Sequence, residues 1–160
     1  MAAGALFANE RSVYWPSEYA DLVNTLKGLG AGGKPSHAGL YKYNTGVIVL
    51  AALVGLVNGR EREVGSSRQE ISTSTFESHR LGDASLGAFL FLVPLLAGSD
   101  IEALRGERED ELIRKFERLA AGGLEVLHGA MSTNADSTGF SVVRAELDRA
   151  LKLMGGPAEN

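Results

Sequence analysis

Between Thr45 and Asn58 the chain reads Thr-Gly-Val-Ile-Val-Leu-Ala-Ala-Leu-Val-Gly-Leu-Val-Asn, a stretch without a single charge. As a helix it is apolar nearly all round. It therefore has no face to give to water and must be covered on most sides by the rest of the domain or by another subunit. A membrane is the other solvent for such a helix. The runs Gly46–Val57 and Leu86–Ala97 both fall well short of the roughly 20 residues needed to span one, however, and Pro94 interrupts the second. Both are predicted as buried core helices, in a chain whose 160 residues suffice for one domain with a real core.

The remaining elements follow from periodicity and punctuation. Residues 1–10 read as a loose arm. Arg11–Trp15 favours a short strand, since Val13, Tyr14 and Trp15 prefer extended backbone. Pro16 suits a first helical turn, and Tyr19, Leu22, Val23 and Leu26 share one face of a helix over Ser17–Leu29. The glycine-rich stretch from Gly28 to Gly39 is read as a flexible connection. Asn44 or Thr45 is expected to cap the apolar helix, with Gly59 just past its end. Residues 63–82 are polar, with a brief strand near Gln69–Ser72. Asp83 is expected to cap a helix over Ala84–Leu96, which Pro94 kinks or ends, and a short turn follows at Asp100–Leu104. Leu112, Phe116, Leu119, Gly123, Leu127 and Met131 recur at steps of three and four, predicting a long amphipathic helix bent or broken at Gly122–Gly123. A last helix, Phe140–Met154, is expected to turn Val143, Leu147, Ala150, Leu151 and Met154 inward, before a frayed tail at 155–160. The fold class is thus mainly α: about five helices and a short N-terminal strand in one domain over 11–154, with a strand-helix-helix part at 11–62 and a helical part at 83–154.

The chain has no cysteine, which excludes disulfides, thiolate metal sites and cysteine nucleophiles. It suits a reducing cytoplasm, and the first residues lack the basic and apolar regions of a signal peptide. Net charge is −4, unevenly placed: residues 1–62 hold six Lys/Arg against four Asp/Glu, so the basic side chains concentrate near the N-terminus. Arg11, Lys27, Lys34, Lys42, Arg60 and Arg62 are the candidate DNA contacts, although no strongly basic surface is evident.

Candidate chemistry is sparse. Gly28, Gly33 and Lys34 match the spacing of a phosphate-binding P-loop, but Pro35 stands where that loop needs a hydroxyl for magnesium, and the stretch follows a helix instead of a strand. His37, His79 and His128 lack partners at metal-ligand spacing, and the serines near His79 form no triad by sequence proximity. Glu107, Glu109, Asp110 and Glu111 open a helix, where the dipole favours carboxylates. No catalytic, cofactor-binding or metal-ligating set is predicted, and no cofactor.

The stretch Arg11-Ser-Val-Tyr-Trp15-Pro16-Ser-Glu-Tyr-Ala-Asp-Leu22-Val23 resembles the strand and first helix of the ribbon-helix-helix repressors of the Arc type, in which two copies pair their strands into a ribbon that enters the major groove. The inter-helix loop of about fifteen residues is longer than that family uses. Two further blocks occur together: Gly46-Val-Ile-Val-Leu-Ala-Ala-Leu-Val-Gly-Leu-Val-Asn-Gly59-Arg60-Glu61, and Lys115-Phe116-Glu117-Arg-Leu-Ala-Ala-Gly122-Gly123-Leu124-Glu125-Val126-Leu127. They resemble the small proteins associated with DNA phosphorothioation (dnd) systems, of the "dnd system-associated protein 4" type. There an apolar Ala-Ala-containing helix ends in Gly-Arg-Arg/Glu, and a later helix carries Phe-Glu and then Gly-Gly-Leu-Glu. Ala121 departs from the polar residue usual before that Gly-Gly, and the 28–39 loop is expanded.

The resemblance implies a setting in bacterial anti-phage, restriction-modification-like loci and carries no catalytic residue. Three functions follow as expectations. The first is a non-enzymatic accessory subunit contacting other proteins of the locus, as a homodimer or higher oligomer, through Val47, Leu50, Val54, Phe116, Gly122, Gly123 and Leu127. The second is a DNA-binding regulator using the six basic residues. The third is a small nucleotide-dependent enzyme using the 28–36 loop.

Overall fold

The computed structural model describes residue 7 and residues 9–104, 108–153 and 155. Most of the expected N-terminal arm, Glu107, Met154 and nearly all of the expected tail lie outside the described residues. The fold is mainly α. Strand β1 (Ser12–Pro16) leads through a 3-10 turn at Ser17–Tyr19 into α1 (Ala20–Leu26). Helix α2 (Asn44–Asn58) is followed by β2 (Arg68–Ser72) and α3 (Thr73–Ser78). A small hairpin of β3 (Arg80–Leu81) and β4 (Ala84–Ser85) leads into α4 (Phe89–Leu96). The long α5 (Glu109–Thr133) and α6 (Phe140–Leu153) complete the domain. Among the described residues no helix is long and apolar enough to cross a membrane.

The apolar stretch sets the architecture, as its composition demands. Val47, Ile48, Val49, Leu50, Ala51, Ala52 and Val54 are all buried, and α2 makes its most extensive contact with α5. Gly59 closes the helix in the left-handed conformation, as expected of a C′ residue. The cap at the other end differs from expectation. Asn44 and Thr45 already lie inside the helix, and no side chain caps it. The Thr45 hydroxyl is buried and engaged with His79 Nδ1 at 2.6 Å instead.

The strand near the N-terminus is present, but its partner rules out the ribbon-helix-helix arrangement. β1 pairs antiparallel with β2 of the same chain, from Ser12 opposite Ser72 to Pro16 opposite Arg68. Beyond that pairing, the amide of Tyr14 donates to Glu117 Oε2 at 2.8 Å. An intertwined ribbon with a second copy would have to displace β2 or break this bond. Val13 and Trp15 point into the core, beneath the sheet.

Several boundaries move for local reasons. Helix α1 stops at Leu26 because Leu26 O accepts from both Leu40 N and Tyr41 N, while Gly28 turns at φ +81°. Asp83 caps nothing in α4. Ala84 and Ser85 pair with Arg80 and Leu81, and Ser85 Oγ accepts from Gly87 N at 3.2 Å to start a 3-10 turn before α4. α3 was not anticipated: its polar sequence hides one core residue, Phe76, which meets Phe116 edge-on at 6.2 Å. Phe7, expected in a loose arm, is buried and stacks on Phe91 at 4.4 Å. Helix α5 runs through Gly122–Gly123 without a break. In α6 the buried residues are Val142, Val143 and Glu146, while Leu147 and Leu151 stand exposed. Asn58 Nδ2 donates to Glu146 Oε2 at 2.9 Å, a part-buried polar tie on the face of α6 that also buries Val142 and Val143.

Candidate interaction surfaces

The two glycine-bearing blocks are the two sides of a single contact. A β-carbon on Gly123 would fall on the Ala51 carbonyl and stand 2.9 Å from Gly55 N. One on Gly122 would meet the Arg60 carbonyl and stand 3.0 Å from Glu61 N, and one on Gly55 would meet the Leu119 carbonyl. Missing side chains thus let the backbones of α2 and α5 touch, as close helix packing requires. Below α2 the strap Arg60–Arg62 lies along α5, with Arg62 N donating to Arg118 O at 3.0 Å. Glu61 accepts from Lys115 Nζ at 2.7 Å and Arg118 Nε at 3.3 Å, and these bonds, Lys115's first, hold its carboxyl below the usual range. Val47, Leu50, Val54, Phe116 and Leu127 are buried around the same contact. The residues expected to meet another subunit therefore face the chain's own core, and any surface for a partner lies elsewhere.

The six expected DNA contacts divide into two groups. Arg11 pairs with Asp110 and with the buried Glu109, tying the start of β1 to α5. Arg60 pairs with Glu125. Arg62 pairs with Glu18 at 2.5 Å and Glu125 at 3.6 Å and donates to the Tyr19 hydroxyl, joining the 3-10 turn after β1 to α5. These three arginines are internal clasps. Lys27, Lys34 and Lys42 make no ion pair among the described residues, and Lys34 and Lys42 are exposed. From residue 22 to residue 60 the chain holds no Asp or Glu at all, so the loop carrying these lysines has no carboxylate of its own.

That loop is built rather than slack. Gly28 O accepts from Ser36 N at 2.9 Å and His37 N at 3.3 Å, and Leu29 bridges to Pro35. His37 Nε2 lies 2.9 Å from Thr25 O. Gly28 and Gly39 lie back to back with no room for a β-carbon at either. The flexible connection expected here is thus a closed loop, because its glycines permit backbone-to-backbone packing. At its exit Tyr43 stacks flat on His79, 4.0 Å between ring centres, and Lys42 Nζ lies 5.2 Å from the Tyr43 ring.

Among the described residues two groups of large apolar side chains on helices stand exposed. On α4 and the 3-10 turn after it (Ile101–Leu104), Leu92, Leu96, Ile101 and Leu104 are exposed, Leu96 and Ile101 by about two thirds. On α6 the exposed residues are Phe140, Leu147, Leu151 and Leu153. Beside the first lies an open groove lined by Ala97, Gly98, Ser99, Asp110, Glu111, Arg114, Lys115 and Arg118, with its two acids and three bases grouped by sign along α5. Among the described residues no group of three or more His, Asp or Glu is placed to hold a metal ion. His128 stays at the surface against the Tyr19 ring.

Sequence reasoning missed the buried acids Glu117 and Glu146 and the turn built by Asp136, which gathers the amides and hydroxyls of Thr138 and Ser141 at the start of α6. Asp136 could have been found, since Asp followed by Ser, Thr and Gly before an apolar-periodic run is a helix-start signal. Glu117 carries no such mark, because its partner is a backbone amide far away in the chain.

No curated protein and no solved structure matches the chain. A family model described as DNA sulphur modification system-associated protein 4 matches residues 12–148, from β1 to the middle of α6 and across the whole α2–α5 contact. On that match over most of its length, the chain belongs to the DNA sulphur modification system-associated protein 4 family.

Proposed function

We propose that the protein is a non-enzymatic accessory subunit of a DNA sulphur modification system, part of a bacterial anti-phage locus, and that it works by contact with other proteins of that system. The observation that carries this reading is the exposed apolar surface of α4 and the turn after it. Residues 84–99 contain no charge, and Leu92 and Leu96 stand one turn apart at the surface, followed by Ile101 and Leu104. Exposed apolar side chains clustered in this way are a recognised mark of a protein contact. Membership in a family associated with a DNA sulphur modification system favours proteins of that system as the partners. The test is capture from the native host. The tagged chain retains proteins encoded beside it, and Leu96→Glu with Ile101→Glu abolishes that retention while the circular dichroism spectrum stays unchanged. Retention that survives both substitutions places the contact elsewhere; no retained locus protein at all ends the reading.

A second surface is supported by the lysines. Lys27, Lys34 and Lys42 sit on or beside a closed, carboxylate-free loop, next to an exposed aromatic side chain. Such an arrangement suits the phosphate backbone of nucleic acid, which unpaired cations attract and internally paired arginines do not. DNA contact by this loop is compatible with an accessory role. It differs from the regulator reading in using none of Arg11, Arg60 or Arg62.

A further inference from the structure

The pattern of α6 points to a second copy of this chain as the occupant of its exposed face. At 100° per residue, Phe140, Leu147 and Leu151 fall within about 40° of one another. They are 52%, 54% and 58% exposed, beside the face that Val142, Val143 and Glu146 bury. Flanking this stripe, on the side away from the buried face, stand Arg144 and Asp148, one turn apart and both exposed. Neither makes an ion pair with another described residue, whereas Arg149 of the same helix pairs with Glu146. An apolar stripe edged by one unpaired cation and one unpaired anion is complementary to itself in only one direction.

Consider two α6 helices packed antiparallel about a two-fold axis level with residue 146. The axis maps each flank onto the same flank of the other helix. Arg144 then stands opposite Asp148 of the second copy, and the same pair recurs on the other side of the axis. Leu147 meets Leu147 of the second copy, and Phe140 meets Leu151 of the second copy at both ends. In a parallel two-fold packing the two Arg144–Asp148 flanks would lie on opposite sides of the seam, each beside the edge that Val143 and Glu146 bury, and could not pair with one another. Charge and apolar pattern therefore select the same closed, isologous arrangement, the commonest way for identical chains to pair. We propose that the protein dimerises through α6 in this antiparallel register. The surface is distinct from the α4 face assigned to other proteins of the system, so either assignment can fail without the other.

The test is sedimentation velocity on the full chain over a range of concentrations, with circular dichroism as a control for folding. The wild-type chain sediments as a dimer. Leu147→Glu, at a half-exposed position, sediments as a monomer with an unchanged melting curve; Leu151→Lys does the same should the first variant lose structure. Arg144→Asp and Asp148→Arg each raise the dimer dissociation constant by roughly tenfold. The double reversal, R144D with D148R, restores it, because the pair is re-formed with exchanged signs. A wild-type chain that stays monomeric at every concentration overturns the proposal. So does a dimer indifferent to Leu147→Glu, or a double reversal no better than either single one.

Discussion

Three glycines decide how closely the two main helices approach, and they are not equivalent to the other glycines of the chain. Gly123 lies against the backbone of Ala51 and Gly55, whereas Gly129, on the same helix, has open space where a β-carbon would go. Alanine at the two positions should therefore act in opposite directions. Gly123→Ala forces two backbones apart and is expected to cost about 3 kcal/mol, toward the upper end for overpacked cores. Gly129→Ala removes a helix-weakening residue without a clash and is expected to add up to about 1 kcal/mol. Urea unfolding of both variants checks the contrast; equal effects would mean that the close approach is not what the glycine serves. The sequence marked Gly122–Gly123 as a bend or break and as part of a contact surface. It could not show whose backbone approaches, since an apolar helix can be covered by its own chain or by another.

At the scale of elements, two polar devices hold pieces in place. Glu117 is buried in α5, accepts the Tyr14 amide through Oε2 and receives Arg114 Nη1 on Oε1 at 3.2 Å. Glu117→Ala leaves that amide without a partner and is expected to cost on the order of 1–3 kcal/mol. Hydrogen exchange at Tyr14 should accelerate in the variant beyond what its loss of global stability explains; an unchanged rate would show that the bond does not secure the sheet edge. Asp136 is the second device. The Thr138 hydroxyl, then the amides of Ser141 and Thr138, hold its carboxyl well below the ordinary value of 3.8. A carboxylate with a lowered folded pKa stabilises above its unfolded pKa and loses that contribution as pH falls toward the folded one. Thermal melts should accordingly fall less steeply below about pH 4 in Asp136→Asn than in the wild-type chain; parallel curves would remove Asp136 from the acid response. These elements also show where sequence reading stops. Val13, Tyr14 and Trp15 announce a strand by their own preferences, but the partner strand lies more than fifty residues away in a polar segment, and non-local pairing leaves no local mark. The inward face of α6 was read correctly at Val143 but not at Leu147 and Leu151: hydrophobic phase alone favoured them, whereas the inward face also carries Glu146, which accepts from Asn58.

Over the whole molecule, charge is arranged so that among the described residues several arginines close the fold while Lys27, Lys34 and Lys42 make no ion pair. Arg11, Arg60 and Arg62 each join segments distant in sequence, and the chain as a whole is acidic at −4. A polyanion approaching at random is repelled, and the loop bearing Lys27, Lys34 and Lys42 offers cations on a stretch free of carboxylates. Affinity for duplex DNA is thus expected to be modest and steeply dependent on salt. Three phosphate contacts give a logarithmic slope near −3, since each neutralised phosphate contributes about −0.9. Lys27→Gln, Lys34→Gln and Lys42→Gln together should flatten that slope toward zero in fluorescence anisotropy titrations. Arg60→Ala with Arg62→Ala should leave the slope nearly unchanged while lowering the melting temperature, because those side chains hold α5 to the N-terminal segment rather than face a ligand. The reverse pattern, a slope that follows the arginines and ignores the lysines, would mean that the clasps open on binding and that the loop is a bystander.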